Sequence, residues 1–404
     1  MSPVSKPKSL KRANRKVILG LLRKSEELSI AELSERSNLS KTTVMKIVNY
    51  YVEQGFVIIS GKGKSTEEGG KKPTLYQFNT RGGYVYACHV FPEYLYSVIT
   101  DLDSTILLDY KVEISENEGL TNVISGMVHS FNHLIEQGGI QRGKIIGIAV
   151  GAHGITDYMN GKVIFAPHFQ SWGENVDLRG MLSQAFDIEV PIYVENQIRF
   201  QVFAEKEKGI AKTKKNIIVI EGGSGLVAGI IVKDEIKRGA HSLAGEIGHM
   251  ILSPDSEEIC ACGANGCFEA MVTTKRLERM AREGYQSNRS SLIFNGHDPE
   301  DITIENIFLA SNNGDKLAQD IIDDAAKWYS LGLTNLVLTY DPELIILQGI
   351  FVKAGDFFIQ KLCERINSAS LIHIEKGVSI VYSHFGTEAG VIGGSAYVVS
   401  EYFR

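Results

Sequence analysis

Apolar side chains at Val17, Ile18, Leu21 and Leu22 recur at helical spacing within residues 13–22, a stripe that needs a partner surface. Ser29 is placed to cap a second, short helix over Ile30 to Ser37. The turn Asn38-Leu39-Ser40 then leads into a third helix from Lys41, with Ser40 as its cap. In that helix Val44, Ile47, Val48 and Tyr51 share one side, while Lys41, Thr42, Thr43, Lys46 and Asn49 fall largely on the other. Gly55 closes it. Phe56 to Ser60 and Thr74 to Asn79 read as a strand and its return, with Lys62, Lys64, Lys71 and Lys72 between them. Beyond Tyr84 the pattern turns to strands at Tyr84 to Val90, Tyr94 to Thr100 and Ile106 to Ile114, followed by a helix over Asn122 to Gln137. Further strands at Lys144 to Val150, Ile192 to Glu195, Asn216 to Glu221 and Leu344 to Leu347 alternate with helical stretches, which predicts α/β layers. No internal repeat is evident.

Length and composition fit that division. A chain of 404 residues exceeds one ordinary core, and 44% apolar with 22% charged residues excludes a disordered or fibrous protein. No run of about 18 apolar residues occurs, and the basic, polar N-terminus lacks the apolar stretch of a signal peptide. No membrane association is expected, and the expected location is cytoplasmic. Charge is unevenly spread: residues 1–80 hold 15 Lys and Arg against 7 Asp and Glu, and the rest holds 27 against 41. A basic module on an acidic body suits a polyanionic partner. The helix-turn-helix pattern, the wing and this charge step together predict operator DNA. Ser40, Lys41, Thr42, Thr43 and Lys46 are the candidates on the recognition helix, and Lys71 and Lys72 those on the wing. A helix-turn-helix commonly reads two half-sites, so a homodimer or a dimer of dimers is expected.

Three of the five cysteines fall within eight residues: Cys260, Cys262 and Cys267, preceded by His249. Three thiolates and an imidazole make a closed tetrahedral set, and Gly263 and Gly266 let the backbone wrap an ion. One structural zinc per chain is the expectation, stiffening the loop between Glu246 and Glu269. A disulfide pair or inert buried thiols are the alternatives.

The stretch Gly245-Glu-Ile-Gly-His249 followed by Cys-x-Cys-Gly-x-x-Gly-Cys-x-Glu269 resembles the signature of the ROK family, which holds repressors, uncharacterised reading frames and sugar kinases. The basic module with its Gly-Gly-Lys-Lys-Pro wing resembles the family's repressors, and Asp341 to Gly349 and Glu388 to Gly394 resemble its late segments. The resemblance implies a winged helix-turn-helix over residues 1–80. It implies a two-lobed, actin-like and ribonuclease-H-like sugar-kinase-type domain over 81–404. Carried over, the sugar contacts fall on Asn196, Glu246, His249 and Glu269, and the zinc ligands on His249, Cys260, Cys262 and Cys267. Trp172, in the aromatic loop with His168 and Phe169, is a candidate platform for a pyranose face, with core packing as the alternative.

The same resemblance argues against kinase chemistry. The family's Asp-x-Gly turn reads His89 and Phe91 here, its catalytic aspartate reads Gln197, and a glycine of the second phosphate loop reads Val227. A neutral amide cannot take the hydroxyl proton, and a phenylalanine denies the close approach that phosphates need. The expectation is a sugar-responsive repressor without catalytic residues. The competing readings are an active kinase with an accessory DNA-binding module, and a constitutive DNA-binding protein on a non-sensing scaffold.

Overall fold

The computed structural model describes residues 7–25, 27–63, 72–115, 117–287, 289–296, 298–368 and 378–404. The N-terminal module comprises α1 (Pro7–Lys24), β1 (Leu28–Ser29), α2 (Ile30–Ser37), α3 (Lys41–Glu53), β2 (Val57–Lys62) and β3 (Thr74–Phe78). Ser29 caps α2 reciprocally: its hydroxyl accepts from the Glu32 N–H at 3.3 Å, and the Glu32 carboxylate accepts from the Ser29 N–H at 2.8 Å. Asn38 ends α2 in the left-handed region, and Ser40 then accepts from the Thr43 N–H to open α3. Val44, Ile47, Val48 and Tyr51 are the buried residues of α3. In α1 Ile18, Leu21 and Leu22 face the core as expected, but Val17 is 46% exposed and Leu19, at 2%, is buried instead. The run Val-Ile-Leu-Gly-Leu-Leu is apolar on every side, so its spacing alone leaves the rotation open. The strands close as β1-β3-β2, all antiparallel.

The body holds two five-stranded sheets of the same order. The first lobe contains β4 (Tyr84–Val90), β5 (Tyr94–Asp101), β6 (Ile106–Glu113), α4 (Leu120–Gly138), β7 (Ile145–Ala152), a small hairpin β8 (Ile155–Asp157) and β9 (Lys162–Phe165), α5 (Leu178–Ala185) and β10 (Ile192–Asn196). Its sheet runs β10-β7-β4-β5-β6, with the meander antiparallel and β7 and β10 parallel to β4. After α6 (Gln197–Glu207) the second lobe repeats the plan with β11 (Ile217–Gly222), β12 (Leu226–Val232) and β13 (Glu235–Ile236). Its helices α7 (Phe268–Val272), α8 (Thr274–Gln286), α9 (Ile304–Asn312) and α10 (Lys316–Tyr340) follow, then β14 (Leu344–Gly349), α11 (Gly355–Asn367) and β15 (Ser379–Tyr382). Its sheet runs β13-β12-β11-β14-β15. The repeat is one of topology: hairpin, hairpin, crossover, crossover.

The last helix, α12 (Ala389–Tyr402), returns to the first lobe and packs along α6. Their approach is close: a Cβ on Gly393 would stand 1.7 Å from the Phe200 carbonyl oxygen. Beyond α12, the Phe403 ring meets Tyr51, Phe56 and Phe78 of the N-terminal module edge-on, with centroids 5.0–6.5 Å away. The core of that module runs without a break into Val85, Val98, Ile146 and Val398 of the first lobe. Among the described residues no helix is long and apolar enough to cross a membrane.

Candidate functional site

Burying Val44, Ile47, Val48 and Tyr51 turns the other face of α3 outward: Lys41, Thr42, Lys46 and Asn49 are exposed. Ser40 and Thr43 do local work, since the Ser40 hydroxyl lies 2.9 Å from that of Thr43 and caps the helix. Met45, which polarity-based reading passed over, sits on the exposed face at 45%, an apolar group of the kind that meets a thymine methyl. Lys72 is exposed; Lys64 and Lys71 lie outside the described residues.

The metal loop is built on two isolated bridges, Ile251 to Cys267 and Ile259 to Asn265. Gly266, at φ +63°, comes so near Ser253 that a Cβ would stand 1.6 Å from its carbonyl oxygen. His249, Cys260, Cys262 and Cys267 offer ligand atoms that all lie within 4.8 Å of one another. Cys262 and Cys267 sulfurs are 3.6 Å apart, and Cys260 Sγ is 3.6 Å from His249 Nδ1. All five cysteines are free thiols. A tetrahedron with metal–sulfur bonds near 2.3 Å has edges of about 3.8 Å, so this donor set fits an ion. The Ala264 N–H pulls the Cys262 thiol down toward the thiolate, while burial pushes Cys260 up; a bound ion would favour the thiolate at both.

The same stretch of chain carries the carboxylates of Glu246 and Glu269. Glu269, on α7 directly after Cys267, accepts from the Leu226 N–H at 3.0 Å, and its other oxygen lies 3.7 Å from Cys260 Sγ. Burial raises the Glu246 carboxyl, and His249 and Arg199 oppose that shift. Asn196 ends β10 and caps α6: its Oδ1 accepts from the Ile198 N–H at 3.0 Å and its Nδ2 donates to Gly154 O at 2.7 Å. One amide N–H and one lone pair remain for a ligand. Glu246, His249 and Glu269 come together beside the cysteine loop, while Asn196, at the end of β10, is hydrogen-bonded to Thr156, Glu195, Gly154 and Ile198.

Trp172 does not join them. It is 7% exposed, stacks on fully buried Phe169 at 4.5 Å, and donates its indole N–H to Glu118 O at 3.3 Å. The expectation of a stacking platform is therefore corrected: the ring is spent on the core of the first lobe.

At the positions implied for phosphate handling, His89 is buried with both ring nitrogens unpartnered among the described residues. Phe91 stacks on it at 4.1 Å. Burial drives His89 well below the usual imidazole value, and brings neighbouring His153 to about 4, so both rings are neutral. Gln197 opens α6 and donates from Nε2 to Glu221 Oε2 at 3.2 Å; Gln201 does the same. Glu221 was missed in the sequence, where a lone acid ends the apolar run Ile217 to Ile220. Burial raises its carboxyl.

Residues 93–401 match the profile described as the ROK family, and residues 11–58 that of a winged helix-turn-helix DNA-binding domain. The xylose repressor of Bacillus subtilis is 26% identical over 395 residues, covering 97% of this chain and 96% of the relative. A glucokinase of Halalkalibacterium halodurans is 28% identical over 251 residues, 62% of this chain and 75% of that enzyme. Among solved structures, a ROK family transcriptional regulator, a homologue of the Escherichia coli MLC protein, superposes with a TM-score of 0.84 at 22% identity. It covers 98% of this chain and 97% of its own. That last likeness establishes the fold.

Proposed function

Because the chain belongs to the ROK family, we propose that it is a sugar-responsive DNA-binding repressor whose kinase-type body senses a monosaccharide without phosphorylating it. The observation that carries this reading is the union, in one chain, of a winged helix-turn-helix with a ROK body; on this reading Asn196, Glu246, His249 and Glu269 hold the sugar and Gln197 replaces the catalytic base. The xylose repressor matches 97% of this chain, the glucokinase 62% of it. Residues 1–80 form the DNA module and 81–404 the effector body. Lys41, Thr42 and Lys46 read base edges, Ser40 and Thr43 hold the helix start, and Lys71 and Lys72 contact phosphates. Zinc fills the His249, Cys260, Cys262 and Cys267 set and, as a closed four-ligand site, is structural. The imidazole ring nitrogen turned away from the ion is then free to meet a sugar hydroxyl. The working unit is a homodimer or a dimer of dimers, acting on operator DNA in the cytoplasm.

A second reading has one observation behind it: the Glu221 carboxylate lies next to Gln197 and is a conceivable substitute base. It is already engaged by two amides, and the His89 and Phe91 rings stand where a phosphate cradle would need a carboxylate and a glycine. One experiment separates the readings. The affinity for a duplex enriched from a randomised pool is titrated against a monosaccharide panel that includes D-xylose and D-glucose, beside an ATP-consumption assay. A shift in affinity without ATP turnover is expected. Turnover at ordinary kinase rates, or an affinity indifferent to every sugar that binds, overturns the proposal.

A further inference from the structure

Glu195, the residue before Asn196, is a fully buried carboxylate held by two arginines. Its Oε1 accepts from Arg199, one turn along α6, at 2.9 Å, and from the Thr156 hydroxyl at 3.1 Å. Its Oε2 accepts from Arg238 Nε at 2.6 Å, and Arg238 comes from the opposite lobe, just past β13. The Arg238 guanidinium also lies over the Tyr158 ring at 4.1 Å, with the Tyr397 ring of α12 at 5.9 Å. Tyr397 donates its hydroxyl proton to the Tyr158 oxygen at 2.6 Å. The loop after Arg238 is closed by Ala244 N–H donating to Arg238 O at 3.1 Å, and Arg199 donates to Ser242 O in the same loop at 2.6 Å. Two residues past Ala244 stands Glu246.

Desolvating three charged groups is costly, and a buried ion cluster seldom adds stability over an apolar equivalent; such clusters are best attested where they fix a register between parts. Here they fix four: the strand end bearing Asn196, the loop bearing Glu246, the turn at Tyr158, and α12. Any relative movement of the lobes must carry Arg238 with it or strip it from Glu195 and Tyr397. Tyr397 lies six residues before Phe403, whose ring is seated in the DNA module.

We propose that Arg238 is a positioning residue that couples the effector cleft to α12, and through Phe403 to the winged helix. This rests on the sugar-responsive repressor reading. Arg238→Lys keeps a cation for Glu195 but loses the planar group lying on the two tyrosine rings. Tyr158→Leu removes the ring and leaves the ion pair, a second variant should the first fold poorly. Arg276→Lys is the control, since Arg276 pairs with Asp324 and Glu258 inside the second lobe. In the full, ligand-free chain, amide hydrogen exchange over residues 397–403 is expected to quicken about tenfold in Arg238→Lys or Tyr158→Leu and to stay unchanged in Arg276→Lys. For D-xylose and D-glucose, whichever shifts DNA affinity in the unaltered protein, the shift is expected to shrink by about 2- to 30-fold in the same two variants. Exchange at 397–403 equal to that of the control overturns the coupling, as does an undiminished sugar response. An unaltered chain that binds no DNA overturns the repressor reading instead, and the exchange measurement still decides the Arg238 link.

Discussion

Cys262 is an exposed thiol that completes the donor set, so it can be altered without opening a core cavity. Cys262→Ser is expected to lower the metal content of purified protein well below one zinc per chain by elemental analysis, and to lower the melting temperature. A metal-free preparation of unaltered protein with the same melting temperature would refute the structural role. A second residue-scale prediction concerns pH. The His153 value lies near 4 in the fold against 6.5 when unfolded, and His89 is displaced the same way. Both rings therefore bind protons more weakly when folded. Their contribution is complete above about pH 6.5 and is lost as pH falls below it, for His153 down to about 4, each ring adding at most about 1.4 kcal/mol per pH unit. Denaturant midpoints should fall between pH 7 and 5, and His153→Gln should flatten that slope. The His249, Cys260, Cys262 and Cys267 cluster was legible in the sequence because its four donors fall within nineteen residues. Trp172 was not, because an aromatic in a loop near a cleft looks alike whether it faces the ligand or the core. Nor were Glu221, Glu195 and Arg238, whose partners come from distant parts of the chain.

Elements were easier to read where a terminus carries its own chemistry. Ser29 with Glu32, and Ser40 with Thr43, set the starts of α2 and α3 through contacts three residues apart, so their local sequence suffices. Ser29→Ala should cost about 0.5–2 kcal/mol, read by chemical unfolding, because the hydroxyl that accepts from the Glu32 N–H and donates to the Glu32 carboxylate is lost. In α1 Val17 and Leu19 were misplaced for the opposite reason, an apolar run that tertiary packing must resolve. On α3, Thr42→Ala or Lys46→Ala should cost specific binding about 1–3 kcal/mol, whereas Lys72→Ala should weaken all sequences alike and reduce the salt slope by about one. Equal losses on specific and random DNA for the α3 variants would remove that helix from base reading.

For the whole molecule, the sequence showed no repeat, yet both lobes carry one strand order, because topology can recur after side-chain similarity has gone. The two-lobed fold itself was legible through the late glycine segments and the metal loop. Removing residues 1–80 is expected to abolish DNA binding. It also uncovers Phe403 and Tyr402, so the shortened body should self-associate unless both are made polar, as sedimentation would show. Retained operator affinity in the shortened body would overturn the module assignment. The seat of Phe403 has a consequence for synthesis as well. The winged helix leaves the ribosome before the body, but a ring that packs on it is residue 403, so at about 5–20 residues per second the module waits tens of seconds for that contact. An incomplete chain still on the ribosome therefore holds a loosened reading head, and tight occupancy of an operator is reserved for a polypeptide whose sensor has been made in full.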